Sequence, residues 1–125
     1  MRMDSKLEIS LLYDFYKELL NHSQQQVVEL YVNDDLSLAE VADILSISRQ
    51  GVRDSLTRAT KKLRDYESKL HLLYDYNTRN LTAQRITDCA EKIQRLSDDP
   101  EIAQLSRKII EAAGTITERE EPHGI

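Results

Sequence analysis

Residues 37–64, SLAEVADILSISRQGVRDSLTRATKKLR, decide the fold. Ser37 followed three residues later by Glu40 is a capping box, the local signal for a helix start. Val41, Ala42, Ile44 and Leu45 then supply a buried face. Ser46-Ile47-Ser48 interrupts this helix after Leu45, and Ser48 is a fitting N-cap for a second helix beginning near Arg49. A short helix over 38–45, a three-residue turn and a second helix are the helix-turn-helix layout. Small Ala42 stands where the two helices must approach, and Ile47 and Val52 are apolar where the turn and second helix plug into the core. Ser46 occupies a position where glycine often provides φ > 0, so either the turn is looser than usual or Ser46 is strained. Gly51 lies inside the second helix and costs about 1 kcal/mol against alanine; a helix loosened there would order on binding its partner.

Toward the N-terminus, Leu7, Leu11, Phe15 and Leu19, with Leu12, Tyr16 and Leu20 alongside, predict an amphipathic helix ending near Asn21. Ser23 and Gln26 form a second capping-box pattern ahead of Val27, Val28, Leu30 and Tyr31, and Asn33-Asp34-Asp35 ends that shorter helix. Toward the C-terminus the second helix of the motif is expected to continue from Arg49 to about Arg79. Val52, Ala59, Tyr66 and Leu73 interleave there with Leu56, Leu63 and Leu70 at alternating four- and three-residue steps, a heptad seam. Its distal half exceeds what a compact unit can cover, which makes Leu63, Tyr66, Leu70 and Leu73 a candidate homodimer seam. The polar stretch Asn77-Thr78-Arg79-Asn80 precedes a further helix carrying Ile86, Ala90 and Ile93 to Leu96. Asp99 as N-cap and Pro100 at the first position start a last helix, through Ile102, Leu105 and Ile109, that Gly114 should close. The fold class is therefore all-α, one domain over residues 1–114, with 115–125 a disordered acidic tail.

Composition agrees. The chain has 125 residues, only three glycines and two prolines, 40% hydrophobic and 31% charged residues, and a net charge of −5. That is a globular profile without the turn residues of an all-β protein. One cysteine, Cys89, cannot form an intramolecular disulfide, and nothing resembles an export or membrane-spanning segment, so a cytoplasmic protein is expected. Charge is segregated along the chain: residues 1–48 carry a net −6, 49–79 a net +4, and 80–125 a net −3. The basic segment coincides with the second helix of the motif, and phosphate binding responds to such local clusters rather than to the total.

On that helix Arg49, Gln50, Arg53 and Asp54 fall on the exposed N-terminal turns, the part that enters a DNA major groove. Arg can bond guanine bidentately and Gln can bond adenine, so Arg49, Gln50 and Arg53 are the candidate base readers. Arg58, Lys61, Lys62 and Arg64, farther along, suit phosphate contacts. Basic runs are usually solvated faces; these gain meaning from following Arg49 and Arg53 on a helix that the turn places outward. The tyrosines at 13, 16, 31, 66, 74 and 76 fall on apolar stripes and read as core or dimer contacts rather than base-stacking platforms. His22, His71 and His123 lack metal-site spacing, Cys89 reads as a small core residue, Asp34-Asp35 as a helix breaker, and no nucleotide-binding loop or nucleophile elbow is present. Neither an enzyme nor a cofactor or metal is expected.

The stretch LSLAEVADILSISRQGVRDSLTRATKKLRDYESKLHLLYDY, residues 36–76, resembles the helix-turn-helix of sigma-factor region 4. Together with the preceding LLYDFYKELLNHSQQQVVELYVNDDLSLAEVA, residues 11–42, it resembles the small YlxM-type proteins over roughly residues 7–80. That resemblance implies a DNA-binding regulator encoded beside signal recognition particle genes and acting in that pathway. Two functions are thus in view: a nucleic-acid-binding regulator, with DNA favoured and RNA open, and a protein-binding accessory factor that modulates the signal recognition particle without DNA.

Overall fold

In the computed structural model, which describes residues 3–119, Ser37 Oγ accepts from the Glu40 N–H at 3.1 Å and the Glu40 carboxylate accepts from the Ser37 N–H at 3.0 Å. This box opens helix α3, Leu38–Leu45, after helices α1, Met3–Tyr16, and α2, His22–Val28. A 3-10 turn, Lys17–Leu19, follows α1, and a π-helical turn, Glu29–Asn33, follows α2. Beyond α3 lie α4, Arg49–Leu70, α5, Leu72–Leu96, and α6, Pro100–Arg119. The protein is all-α, with no strand among the described residues.

Two compact units make up the chain, one reaching Leu73 and one beginning at Tyr74. The first is built around the motif. Its core holds Ile9, Leu12, Tyr13, Tyr16 and Leu20 from the N-terminal helix and the turn after it, Val27 and Val28 from α2, Val41 and Ala42 from α3, and Val52, Leu56, Ala59 and Leu63 from α4. On α1 the buried stripe is Ile9, Leu12, Tyr13 and Tyr16, whereas Leu7, Leu11 and Leu19, expected to lead it, are exposed. Likewise Ile44 and Ile47 point outward while Val41 and Val52 are fully buried. Buried Tyr13 donates to the Glu29 carboxylate at 2.6 Å, and burial, reinforced by that bond, raises its phenol well above the usual tyrosine range. Lys6 pairs with Asp35 at 3.0 Å and lies 4.1 Å from the centre of the Tyr31 ring, tying α1 to the segment after α2.

Several helix ends differ from the sequence expectation. Asn21, not Ser23, caps α2: Asn21 Oδ1 accepts from the Gln24 N–H at 2.8 Å and the Gln24 side chain accepts from the Asn21 N–H at 3.2 Å. Gln25, next to the cap, donates its amide to the carbonyls of Lys17 and Leu20 and closes the preceding turn. The long helix stops at Leu70 rather than near Arg79. His71 is left-handed, with φ 58°, and α5 runs unbroken through Asn77–Asn80. Asp99 and Pro100 start α6 as expected, with Asp99 Oδ1 accepting from the Glu101 N–H at 2.9 Å. Gly114 does not close it: its φ is not positive and the helix continues to Arg119. Of the segment expected to be a disordered tail, residues 115–119 are therefore helical, and 120–125, with His123, lie outside the described residues. In the second unit the buried side chains are small, Ala83, Ala90, Ser106 and Ala113, and Cys89 is exposed rather than in a core.

Candidate nucleic-acid interface

The turn that aims α4 is a Schellman motif. Ser46 takes φ 57° and ψ 43°, its N–H reaches the Asp43 carbonyl at 3.4 Å, and the Ile47 N–H reaches the Ala42 carbonyl at 3.0 Å. Ser46 therefore fills the left-handed position that glycine usually holds, and of the two possibilities left by the sequence the strained one is realised. Ser48 then caps α4, its Oγ accepting from the Gly51 N–H at 2.9 Å. Gly51 is thus the third residue of the helix and part of its cap, not an interior weak point. A Cβ added there would lie 3.2 Å from Ser48 Oγ.

With α4 anchored through Val52, Leu56, Ala59 and Leu63, its first turns are open to solvent. Arg49, Gln50, Arg53 and Asp54 are all exposed. Gln50 donates its amide N–H to Asp54 Oδ1 at 3.0 Å across one turn. Arg49, Arg53 and Arg58 make no ion pair among the described residues. Lys61 pairs with Asp65 at 2.9 Å, and Arg64 with Glu8 of α1 at 3.3 Å. All four of these side chains are largely exposed, so each pair is worth about 0.2–1 kcal/mol and is readily exchanged for a phosphate. Lys62 donates to the buried Gln24 side chain of α2 at 3.3 Å.

The four residues expected along one phosphate flank divide between two sides of α4. Arg53, Thr57, Lys61 and Arg64, spaced by three or four, line an open groove together with Asp65, the partner of Lys61; its other walls are Tyr31 from the π-helical turn and Leu38 at the start of α3, with buried Leu56 and Thr60 beneath. Arg58 and Lys62, four apart, lie outside that groove, on the side where Lys62 meets α2. Thr57 and Leu38 are not singled out as site residues in the sequence, and Tyr31 reads there as a core or dimer contact; the signal for Thr57 is its place one turn after Arg53. The tyrosines divide too: Tyr13 and Tyr16 are buried, Tyr31, Tyr66 and Tyr76 partly buried, and Tyr74 exposed.

The candidate dimer seam is used differently. Leu63 is fully buried in the core of its own chain, and Tyr66 and Leu73 pack against that core. Leu63 is thus closed to a second chain, because its stripe of α4 packs into the core that α1 and α2 share with it. Only Leu70 remains exposed, at 50%. Among the described residues no three His, Cys, Asp or Glu side chains are grouped to hold a metal ion, and no helix is long and apolar enough to cross a membrane.

The family model "UPF0122: Putative helix-turn-helix protein, YlxM / p13 like" matches residues 3–103. The UPF0122 protein of Lactiplantibacillus plantarum is 34% identical over 110 residues, covering 88% of this chain and 94% of that protein. The UPF0122 protein of Streptococcus gordonii is 39% identical over 106 residues, 85% and 94% of the two chains, and that of Limosilactobacillus reuteri 42% identical over 86 residues, 69% and 76%. The matched region contains every element from α1 to α5, and the chain belongs to the UPF0122, YlxM/p13-like family of helix-turn-helix proteins.

Proposed function

We propose that this protein is a non-enzymatic, nucleic-acid-binding regulator of the cytoplasm. It takes duplex DNA by inserting the first turns of α4 into the major groove, and it acts as a homodimer. Arg49, Gln50 and Arg53 read base edges; Arg58, Lys61, Lys62 and Arg64 hold phosphates. The observation that supports this most is the capped, solvent-facing start of α4, where Arg49 and Arg53 are exposed and make no ion pair among the described residues. Resemblance to YlxM-type proteins adds the signal recognition particle pathway as the setting. The test is selection of duplexes from a random pool, followed by fluorescence anisotropy of the selected duplex across a salt series. Binding is expected to fall linearly with salt on logarithmic axes, by about one unit of slope per phosphate contact. Failure to enrich any sequence, together with salt-independent binding, overturns the reading.

One observation favours a second reading. The groove beside α4 has an apolar share, Tyr31, Leu38 and Leu56, that phosphates do not need. A protein partner of the signal recognition particle, seated on that groove without DNA, would use it. In that case Leu38→Ala weakens association with the particle while DNase treatment leaves it intact; for the nucleic-acid reading Leu38→Ala leaves capture intact and DNase abolishes it.

A further inference from the structure

Among its described residues the unit beginning at Tyr74 buries no large side chain. Ala83 and Ala90 on α5, and Ser106 and Ala113 on α6, are each seven residues apart, so each helix contributes one narrow stripe of small residues. The large apolar side chains lie outside that stripe: Leu96 is 75% exposed, Leu105 52%, Ile93 42% and Ile109 41%. Ile86, Cys89, Ala90 and Ile93 of α5 line a single shallow groove with Ile109 of α6, and Arg85 at its edge is the one charged residue along it. Leu96, three residues beyond Ile93, and Leu105, four before Ile109, extend this face toward the Ser97–Asp99 turn.

Two helices with one apolar face in common are half of a four-helix bundle. The exposed parts of Ile86, Cys89, Ile93, Leu96, Leu105 and Ile109 leave on the order of 500 Å² of apolar surface uncovered, the share one partner brings to a standard homodimer interface of roughly 800 Å² per side that is about two-thirds apolar. A face of that size, on a hairpin with only small residues at its own centre, fits an identical face: two copies bury each other's isoleucines and leucines and keep Arg85 at the rim. We propose that the α5–α6 hairpin is the dimerisation module, and that the hairpin of a second copy packs on this face about a two-fold axis to close a four-helix bundle. This rests on the homodimer reading above and moves its surface from α4 to the hairpin.

Sedimentation equilibrium of the full chain at micromolar concentration, without nucleic acid, tests it. Wild type is expected at twice 14.5 kDa. Ile93→Glu and Leu105→Glu are expected at the single mass with unchanged helical circular dichroism, since both side chains are already exposed in one chain; Leu70→Glu is expected to remain dimeric. A single-mass wild type overturns both the homodimer reading and this inference. A dimeric wild type that survives Ile93→Glu and Leu105→Glu overturns the hairpin surface alone. Should either variant lose helix content, the reaction of wild-type Cys89 with Ellman's reagent reads the same face: its rate should rise at least tenfold on dilution from mostly dimer to mostly monomer, and a rate independent of dilution overturns the proposal.

Discussion

Tyr16 Oη donates to Glu67 Oε1 at 2.5 Å, and between them these two side chains set the end of α4. Tyr16 Oη accepts from the Leu72 N–H at 3.0 Å, and Glu67 Oε1 accepts from the Leu73 N–H at 3.0 Å, so the first backbone donors of α5 are satisfied from α1 and α4. With these bonds made, His71 can sit in the left-handed region, which histidine tolerates better than most residues. Tyr16→Phe removes the central hydroxyl, and with it the acceptor of the Leu72 N–H and one of the donors to the Glu67 carboxylate, in a half-buried site. A loss of about 1–3 kcal/mol is expected in urea unfolding, and a loss no larger than that of an exposed substitution would show that water replaces the bond.

This break is the main feature the sequence did not disclose. Helix starts that depend on neighbours, Ser37 with Glu40, Ser48 with Gly51, and Asp99 before Pro100, were legible because the groups that bond are three residues apart or fewer. The stop at His71 depends on a tyrosine 51 positions away from its glutamate partner, and the heptad seam runs through it without a glycine or proline. At α2 the sequence points to Ser23 with Gln26, whereas the cap is Asn21 with Gln24, two residues earlier, and Gln25 bonds back to the Lys17 and Leu20 carbonyls of the preceding turn. The same division holds at the candidate site. Exposure of Arg49, Gln50 and Arg53 followed from the local turn, while the separation of Arg58 and Lys62 from Lys61 and Arg64 depends on where α2, α3 and the π-helical turn lie against α4.

At the turn, Ser46→Gly should raise stability by about 1 kcal/mol, because glycine accepts φ 57° without the Cβ clash. Ser46→Val should lower it, since a β-branched residue is poorly tolerated there. Denaturant midpoints of the three proteins check the order glycine, serine, valine; a destabilised glycine variant would mean that the serine hydroxyl bonds something of value.

Gly51→Ala should change stability little. Alanine gains about 1 kcal/mol of helix propensity, but its Cβ would crowd Ser48 Oγ at 3.2 Å and put at risk a cap worth a similar amount, ~1 kcal/mol. The pair can be separated by repeating the substitution in a Ser48→Ala background, where the cap is already gone and the propensity gain should appear in full.

Glu40 supplies a pH dependence of known sign. The Ser37 backbone N–H, and secondarily the Ser37 side chain, hold its carboxyl below the usual carboxylate range. A group depressed in the folded state stabilises the fold above its unfolded value, about 4.3, and loses that contribution as pH falls through the folded value. Glu40→Gln keeps a capping side chain but no titration. Its melting temperature should therefore fall less steeply between about pH 6 and pH 3 than that of wild type; parallel curves would place the acid sensitivity elsewhere.

Thr60 is buried at 7% exposure, and its Oγ1, closed to solvent, has no hydrogen-bond partner among the described residues. Stranding a hydroxyl in this way costs about 1–3 kcal/mol, and valine retains the shape and the β-branch while removing it. Thr60→Val should accordingly stabilise the protein by about 1 kcal/mol. The residue sits at the floor of the groove lined by Arg53, Thr57 and Lys61, so the same variant also reports on what occupies that groove. A phosphate backbone held by the cations above cannot reach a closed Oγ1, and duplex affinity should be unchanged while stability rises. If instead stability falls, the hydroxyl is bonded back to the carbonyl of the preceding turn; if affinity falls while stability rises, the groove opens on binding and Thr60 becomes a direct contact.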